Sequence, residues 1–203
     1  SSTSEMLFAH ADQGAYAASQ DLVAPPGTQH NYSTGTTAIL SKALRTVLGG
    51  DPQASYEHLR TRLFVPLGLR QGVVEPDASG TPIGGAAGVL RPRDWLRLGQ
   101  LLLDGGRWGD RQLVPADFVR FMTTPSPANA GYGGFVRLYD PQMVPPGTPT
   151  EVVYFAGILG QYLVIVPSQR LVVLRMGVSF DKEDTKRRVR RNELEDDPET
   201  WRQ

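Results

Sequence analysis

With 21 basic and 21 acidic side chains among 203 residues, the chain has a formal net charge of zero, and it contains no cysteine. Disulfides, thiolate catalysis and Cys-ligated metals are excluded, and the balanced charge favours neither nucleic acid nor an anionic membrane as the main partner. The hydrophobic content of 40% is enough for one substantial core. The longest apolar runs, such as Tyr162 to Val166, are strand-sized and far short of the roughly 20 residues a membrane span needs.

Ser1-Ser2-Thr3-Ser4-Glu5 has neither a basic nor an apolar region, so no signal peptide is visible, and the lack of Met leads us to expect that the chain begins mid-protein. Absence of cysteine fits an exported bacterial protein, periplasmic or secreted, without fixing the compartment. Ser2-x-x-Glu5 is a capping-box pattern, and the Ala-rich stretch from Met6 to Ser19 has apolar positions at helical spacing, which predicts one helix. Pro25-Pro26-Gly27 ends it. A second helix is predicted from about Thr36 to Leu48, with Ile39, Leu40, Ala43, Leu44, Val47 and Leu48 as its apolar face and Gly49-Gly50 as its stop.

Asp51-Pro52 opens a third helix to about Phe64. Val65 to Leu69 reads as a compact turn, and Val73-Val74 as a short extended piece. Ser79 to Gly88 is a small-residue loop whose backbone must come close to something. Further helices are predicted behind Arg91-Pro92 and behind Pro115. The period then changes. Tyr132 to Leu138, Val152 to Ala156, Gln161 to Val166 and Leu171 to Met176 read as strands, the last two joined as a hairpin. Helices first and antiparallel strands last predict an α+β domain over residues 1–180, followed by a charged tail over 181–203.

The stretch from Pro26 to Gly35 delivers one tyrosine and several hydroxyls to the mouth of a helix. Tyr32 is the residue in it suited to carrying a proton. A phenol ionises near ~10, so as a base at neutral pH it needs a neighbouring cation. Lys42, at the far side of the following helix, is no evident partner. Tyr32 is therefore either a proton carrier or a loop tyrosine packed beside the turn. His30 would point the same way as Tyr32 if the segment is extended, while His10 and His58 have solvated surroundings and no metal-ligand spacing.

The single Ser-x-x-Lys match, Ser179 to Lys182, opens the charged tail, where burial of the lysine is not expected, and we reject it as a nucleophile pair. Gly157 to Gln161 sits at the entry of the hairpin's first strand. Glycines there let a substrate carbonyl approach closely, and a backbone N–H can serve as half of an oxyanion hole. A bulge or tight turn needs the same glycines.

Three stretches in this order resemble the serine β-lactamase-related hydrolases, especially the branch of class C β-lactamases, esterases and 6-aminohexanoate-dimer hydrolases. Pro26-Gly27-Thr28 with Tyr32-Ser33 looks like that family's tyrosine motif. Ala86 to Leu90 with Arg93 to Gly106 resembles its structural loop-helix segment. Gly157 to Gln161 with Tyr162 to Pro167 looks like the strand that carries its Lys/His-Thr-Gly element. Together they cover about residues 1–180.

The resemblance implies a β-lactamase/transpeptidase-like fold, helices packed on an antiparallel sheet, with the N-terminal strands and nucleophile helix missing. It implies acylation and deacylation at a serine on a small-molecule ester or amide, without a cofactor. Tyr32 would assist proton transfer; Gly160, Gln161 through its N–H, and Thr34 would contact substrate. The serine and its lysine would come from an N-terminal segment or a second chain, because no serine before Tyr32 has lysine three positions on. Thr34 stands where many relatives have asparagine. Ile158 in the place of the family's cation makes a neutral ester or amide the expected substrate rather than a penicillin-like one. The rival expectation is a non-catalytic binding module that keeps the pocket without a nucleophile.

Overall fold

The structure is a computed structural model that describes residues 3–177. Ser2 of the capping box, the Ser179–Lys182 match and the charged tail lie outside the described residues.

The predicted helix over Met6 to Ser19 is two helices, α1 (Thr3–Ala9) and α2 (Gln13–Ala18). Asp12 causes the break. Its carboxylate accepts from the Ala15 N–H at 2.8 Å, an N-cap of the kind worth about 1 kcal/mol, and it takes the Lys42 ammonium at 2.5 Å. That pairing, first among the causes, holds the Asp12 carboxyl below its ordinary value. Lys42 belongs to α3 (Thr34–Val47), whose first turn is capped by the Ser33 hydroxyl accepting from the Gly35 N–H at 3.1 Å.

The apolar face expected to bury α3 does not do so. Ala38 is buried, whereas Ile39, Leu40, Leu44 and Val47 are exposed. The reason is close helix packing through small residues. A Cβ on Gly14 of α2 would stand 2.7 Å from Lys42 Cβ and 2.8 Å from the Ala38 carbonyl oxygen, so α2 lies on the Ala38 side of α3. The larger apolar row faces away.

Pro at the first turn opens α4 (Pro52–Leu59), which runs through a π-helical turn, Arg60–Phe64, into α5 (Val65–Leu67). The expected turn at Val65 is thus the end of a helix, and Gly68 stops it at φ 69°, a left-handed cap. Strands β1 (Val73–Val74) and β2 (Gly88–Val89) pair antiparallel, and α6 (Pro92–Leu103) follows. β3 (Arg107–Trp108) and β4 (Arg111–Gln112) form a small hairpin before α7 (Ala116–Met122). Phe64, Leu67, Leu69, Leu90 and Leu101 make one buried cluster, each such side chain contributing about 1.5–3 kcal/mol by leaving water.

The main sheet is antiparallel in the order β5 (Arg137–Leu138), β6 (Val153–Gly157), β7 (Gln161–Val166), β8 (Leu171–Arg175). The hairpin β7–β8 turns through Pro167–Gln169 with Arg170 at φ 51°. Helix α6 packs on one face, close enough that a Cβ on Gly99 would meet Val172 Cγ1 at 2.5 Å. Asp94, fully buried in the first turn of α6, accepts from Arg91 Nε at 2.9 Å and Arg97 Nη1 at 3.3 Å, and Arg97 also donates to the Gly68 carbonyl at 2.7 Å. These bonds tie the start of α6 to the α5 cap.

The strand predicted over Tyr132 to Leu138 shrinks to its last two residues. Gly133 and Gly134 lie against the end of α7, where a Cβ on Gly133 would come within 2.0 Å of the Met122 carbonyl oxygen, and Phe135 takes φ 63°. Backbone this close to a helix end cannot run straight into a ladder.

Candidate active site

Tyr32 lies in the irregular segment before α3 and is 36% exposed. Its ring meets Tyr132 edge-on at 6.0 Å between centroids. The guanidinium carbon of Arg137, at the start of β5, stands 5.5 Å from the Tyr32 ring centre and 5.9 Å from that of Tyr132. His30 completes the group, its ring 4.9 Å from Tyr132 and its Nδ1 3.2 Å from Asn129 Nδ2. Burial, and then the charge of Arg137, hold the His30 imidazole below the usual histidine range.

His30 and Tyr32 thus share Tyr132 as neighbour, as alternation along an extended segment requires. The Tyr32 hydroxyl donates to no group among the described residues. The cation beside the phenol is Arg137, while Lys42 is taken by Asp12. His10 stacks instead on Tyr16, ring centroids 3.8 Å apart, and His58 is half-buried in the last turn of α4.

Thr34, the first residue of α3, is held from the other side by the small-residue loop. A Cβ on Gly85 would stand 2.1 Å from Thr37 Oγ1 and 3.0 Å from Thr34 Cγ2, and one on Gly84 would stand 2.5 Å from Ser41 Oγ. The glycines there serve the close approach that the sequence predicted, to α3 itself.

Gly160 is buried at φ 84°, and its carbonyl accepts from the Arg175 guanidinium. Gln161 is exposed, opens β7 and pairs with Gly157. No described contact joins Gly160 or Gln161 to Tyr32. The register sets Arg137 near the start of β6 and the Gly157–Gln161 pair at its end. Arg137 faces Tyr154 on β6, and the Gly157–Gln161 pair lies three residues further along, about 10 Å at ~3.4 Å per residue. Ile158, in the turn at that end, is 55% exposed.

Tyr132, Arg137 and Asn129 did not stand out in the sequence. Gly131-Tyr132-Gly133-Gly134, a second tyrosine set in a glycine-rich loop, is the signal that could have pointed to them. No group of three or more His, Asp or Glu able to hold a metal ion occurs among the described residues. No helix among them is long and apolar enough to cross a membrane.

A family model described as Beta-lactamase matches residues 3–196, and the chain belongs to that family of serine hydrolases. In fold it is similar to a Bacillus anthracis protein described as a 6-aminohexanoate-dimer hydrolase, at 21% identity and a TM-score of 0.69, over 87% of this chain and 45% of that one. A Bacteroides dorei protein described as a beta-lactamase gives 18% identity and 0.63 over 87% of this chain and 60% of its own length. A beta-lactamase from Mycobacterium bovis gives 16% and 0.63 over 94% and 74%. The chain therefore spans about half the length of the first of these proteins. No curated protein matches it.

Proposed function

We propose that the protein is a serine hydrolase that cleaves an ester or amide through an acyl-enzyme, with Tyr32 as a proton-transfer residue and the attacking serine supplied from outside this chain. The observation that carries this is the Tyr32 hydroxyl, partly exposed and without a hydrogen-bond partner among the described residues, beside the permanent charge of Arg137. A proton carrier must be reachable and uncommitted. A packing tyrosine needs neither property.

In acylation the serine oxygen bonds to the carbonyl carbon. Its proton passes through the lysine–tyrosine pair to the leaving alcohol or amine as the old C–O or C–N bond breaks. In deacylation Tyr32 takes a proton from water, whose oxygen bonds to the acyl carbon; the acyl C–O bond to serine breaks, the serine oxygen receives the proton, and the acid leaves. The Gln161 N–H, at the sheet end beside buried Gly160, is the proposed donor to the oxyanion, a contribution of a few kcal/mol in such reactions. Thr34 would line the same mouth.

Exposed Ile158, where a cation is expected, and the want of a usable Ser-x-x-Lys pair favour a second reading, a binding module of the same fold without a nucleophile. A fluorophosphonate probe and a chromogenic ester, applied to this 203-residue chain alone and to the chain together with a segment or second chain that brings a Ser-x-x-Lys helix, separate the two. Labelling and turnover only when that segment is supplied support the hydrolase with an outside serine. Labelling of the 203-residue chain by itself would put the nucleophile inside it, and silence from both would leave the binding module.

A further inference from the structure

Arg137 has five N–H donors fixed in a planar fork, yet no carboxylate, carbonyl or side-chain acceptor among the described residues takes a hydrogen bond from its guanidinium. The residue is half-buried, so part of its hydration is lost. The rings of Tyr32 and Tyr132 meet the cation electrostatically, but they accept none of its in-plane N–H groups. Other described arginines have carboxylate partners: Arg60 with Glu57, Arg91 and Arg97 with Asp94, Arg170 with Asp104. A fork left without acceptors beside the candidate proton carrier is suited to a planar anion that arrives with the ligand.

We infer that Arg137 is the substrate-anchoring residue of this site and that it takes a carboxylate, so that the preferred substrate is an ester or amide bearing a free carboxylate. This rests on the assignment of the site around Tyr32. It reverses the expectation of a neutral substrate drawn from Ile158, because the charge absent at Ile158 is supplied beside Tyr32 by Arg137, on another strand. Tyr132, edge-on to Tyr32, closes the apolar side of the anchor and would lie along the ligand's methylene chain.

The test uses the 203-residue protein and the simple probes hexanoate and hexanamide, which share a chain and differ in charge, followed by NMR at the Arg137 side-chain N–H and the tyrosine rings. Hexanoate is expected to shift these signals saturably and to bind at least about tenfold more tightly than hexanamide, the margin a charge-assisted hydrogen bond gives. Arg137→Gln is expected to remove that preference, and Arg137→Lys, which keeps charge without the fork, to retain part of it. Equal binding of the two probes by the native protein overturns the inference whatever the variants do, as does unchanged hexanoate binding in a folded Arg137→Gln protein. Binding needs no nucleophile. A failure here therefore leaves the hydrolase assignment standing, and a failure of the fluorophosphonate test leaves the anion anchor standing.

Discussion

The Arg137 guanidinium carbon lies 5.5 Å from the centre of the Tyr32 ring, which joins the first residue of strand β5 to the segment that caps α3. Replacing Tyr32 by Phe keeps the ring, its contact with Tyr132 and the cation beside it, and removes the hydroxyl alone. Under the proposed function, and with the serine supplied, kcat for a chromogenic ester should fall about 10²- to 10⁴-fold with KM little changed, because proton transfer belongs to the transition state. Steady-state kinetics read this directly; an unchanged kcat would return Tyr32 to a packing role.

Asp94 is a buried carboxylate between two guanidinium groups. Asp94→Ala removes the hydrogen bonds that Arg91 and Arg97 make to a charged acceptor at the start of α6 and, because both guanidinium groups keep access to water, should cost about 1.5–3 kcal/mol. Urea unfolding of the two proteins gives the difference. A loss below about 1 kcal/mol would mean that the clamp contributes little beyond an exposed ion pair.

Gly99→Ala sets two effects against each other. Alanine favours the helix by about 1 kcal/mol, whereas the new methyl meets Val172 Cγ1 at 2.5 Å and Leu163 Cδ1 at 3.1 Å. Both side chains are held in the sheet, so overpacking of about 1–3 kcal/mol should win and the variant should be less stable. The urea midpoint decides it, and a rise would show that α6 can lift off the sheet without penalty.

The pH dependence follows from His30. Its folded imidazole is held below the ordinary range by burial and by Arg137, so as pH falls the unfolded chain takes the proton first. Stability is therefore full above the unfolded value near ~6.5 and declines as pH drops through and below it. Asp12, also depressed, adds a second loss at lower pH, below the ordinary aspartate range, as the Lys42 pairing is protonated away. Melting temperatures between pH 7.5 and 5 should fall less for His30→Gln than for the native protein; equal slopes would exclude His30 as the source.

Local signals carried the parts of the fold that were legible. Pro92 and Pro115 mark the starts of α6 and α7, and the turn at Pro167 to Arg170 yields the β7–β8 hairpin because proline and a left-handed residue specify it within four positions. Asp12 was not legible as a helix break, since its partner Lys42 lies on another helix. The exposed row on α3 was misread for a related reason: periodicity shows that a face is apolar, and only packing through Gly14 and Ala38 shows which face is covered. At the site, Tyr32 could be picked out by its turn and by the family order. Arg137 could not, because the Tyr32 ring it meets is remote in sequence and comes beside it only through the fold.

Strand β5 is only two residues long, with Arg137 opposite Tyr154 and Leu138 opposite Val153. Val136 and Leu138, on either side of Arg137, are both buried. Side chains alternate along a strand, so a slip of one position would bury the arginine and turn a leucine or valine toward the tyrosines. The electrostatic character of the mouth is thus a matter of parity. Two apolar anchors and the rule of alternation decide whether that mouth is charged, and a one-residue insertion between Gly134 and Val136 that shifted the register would neutralise it without replacing a single residue that faces the ligand.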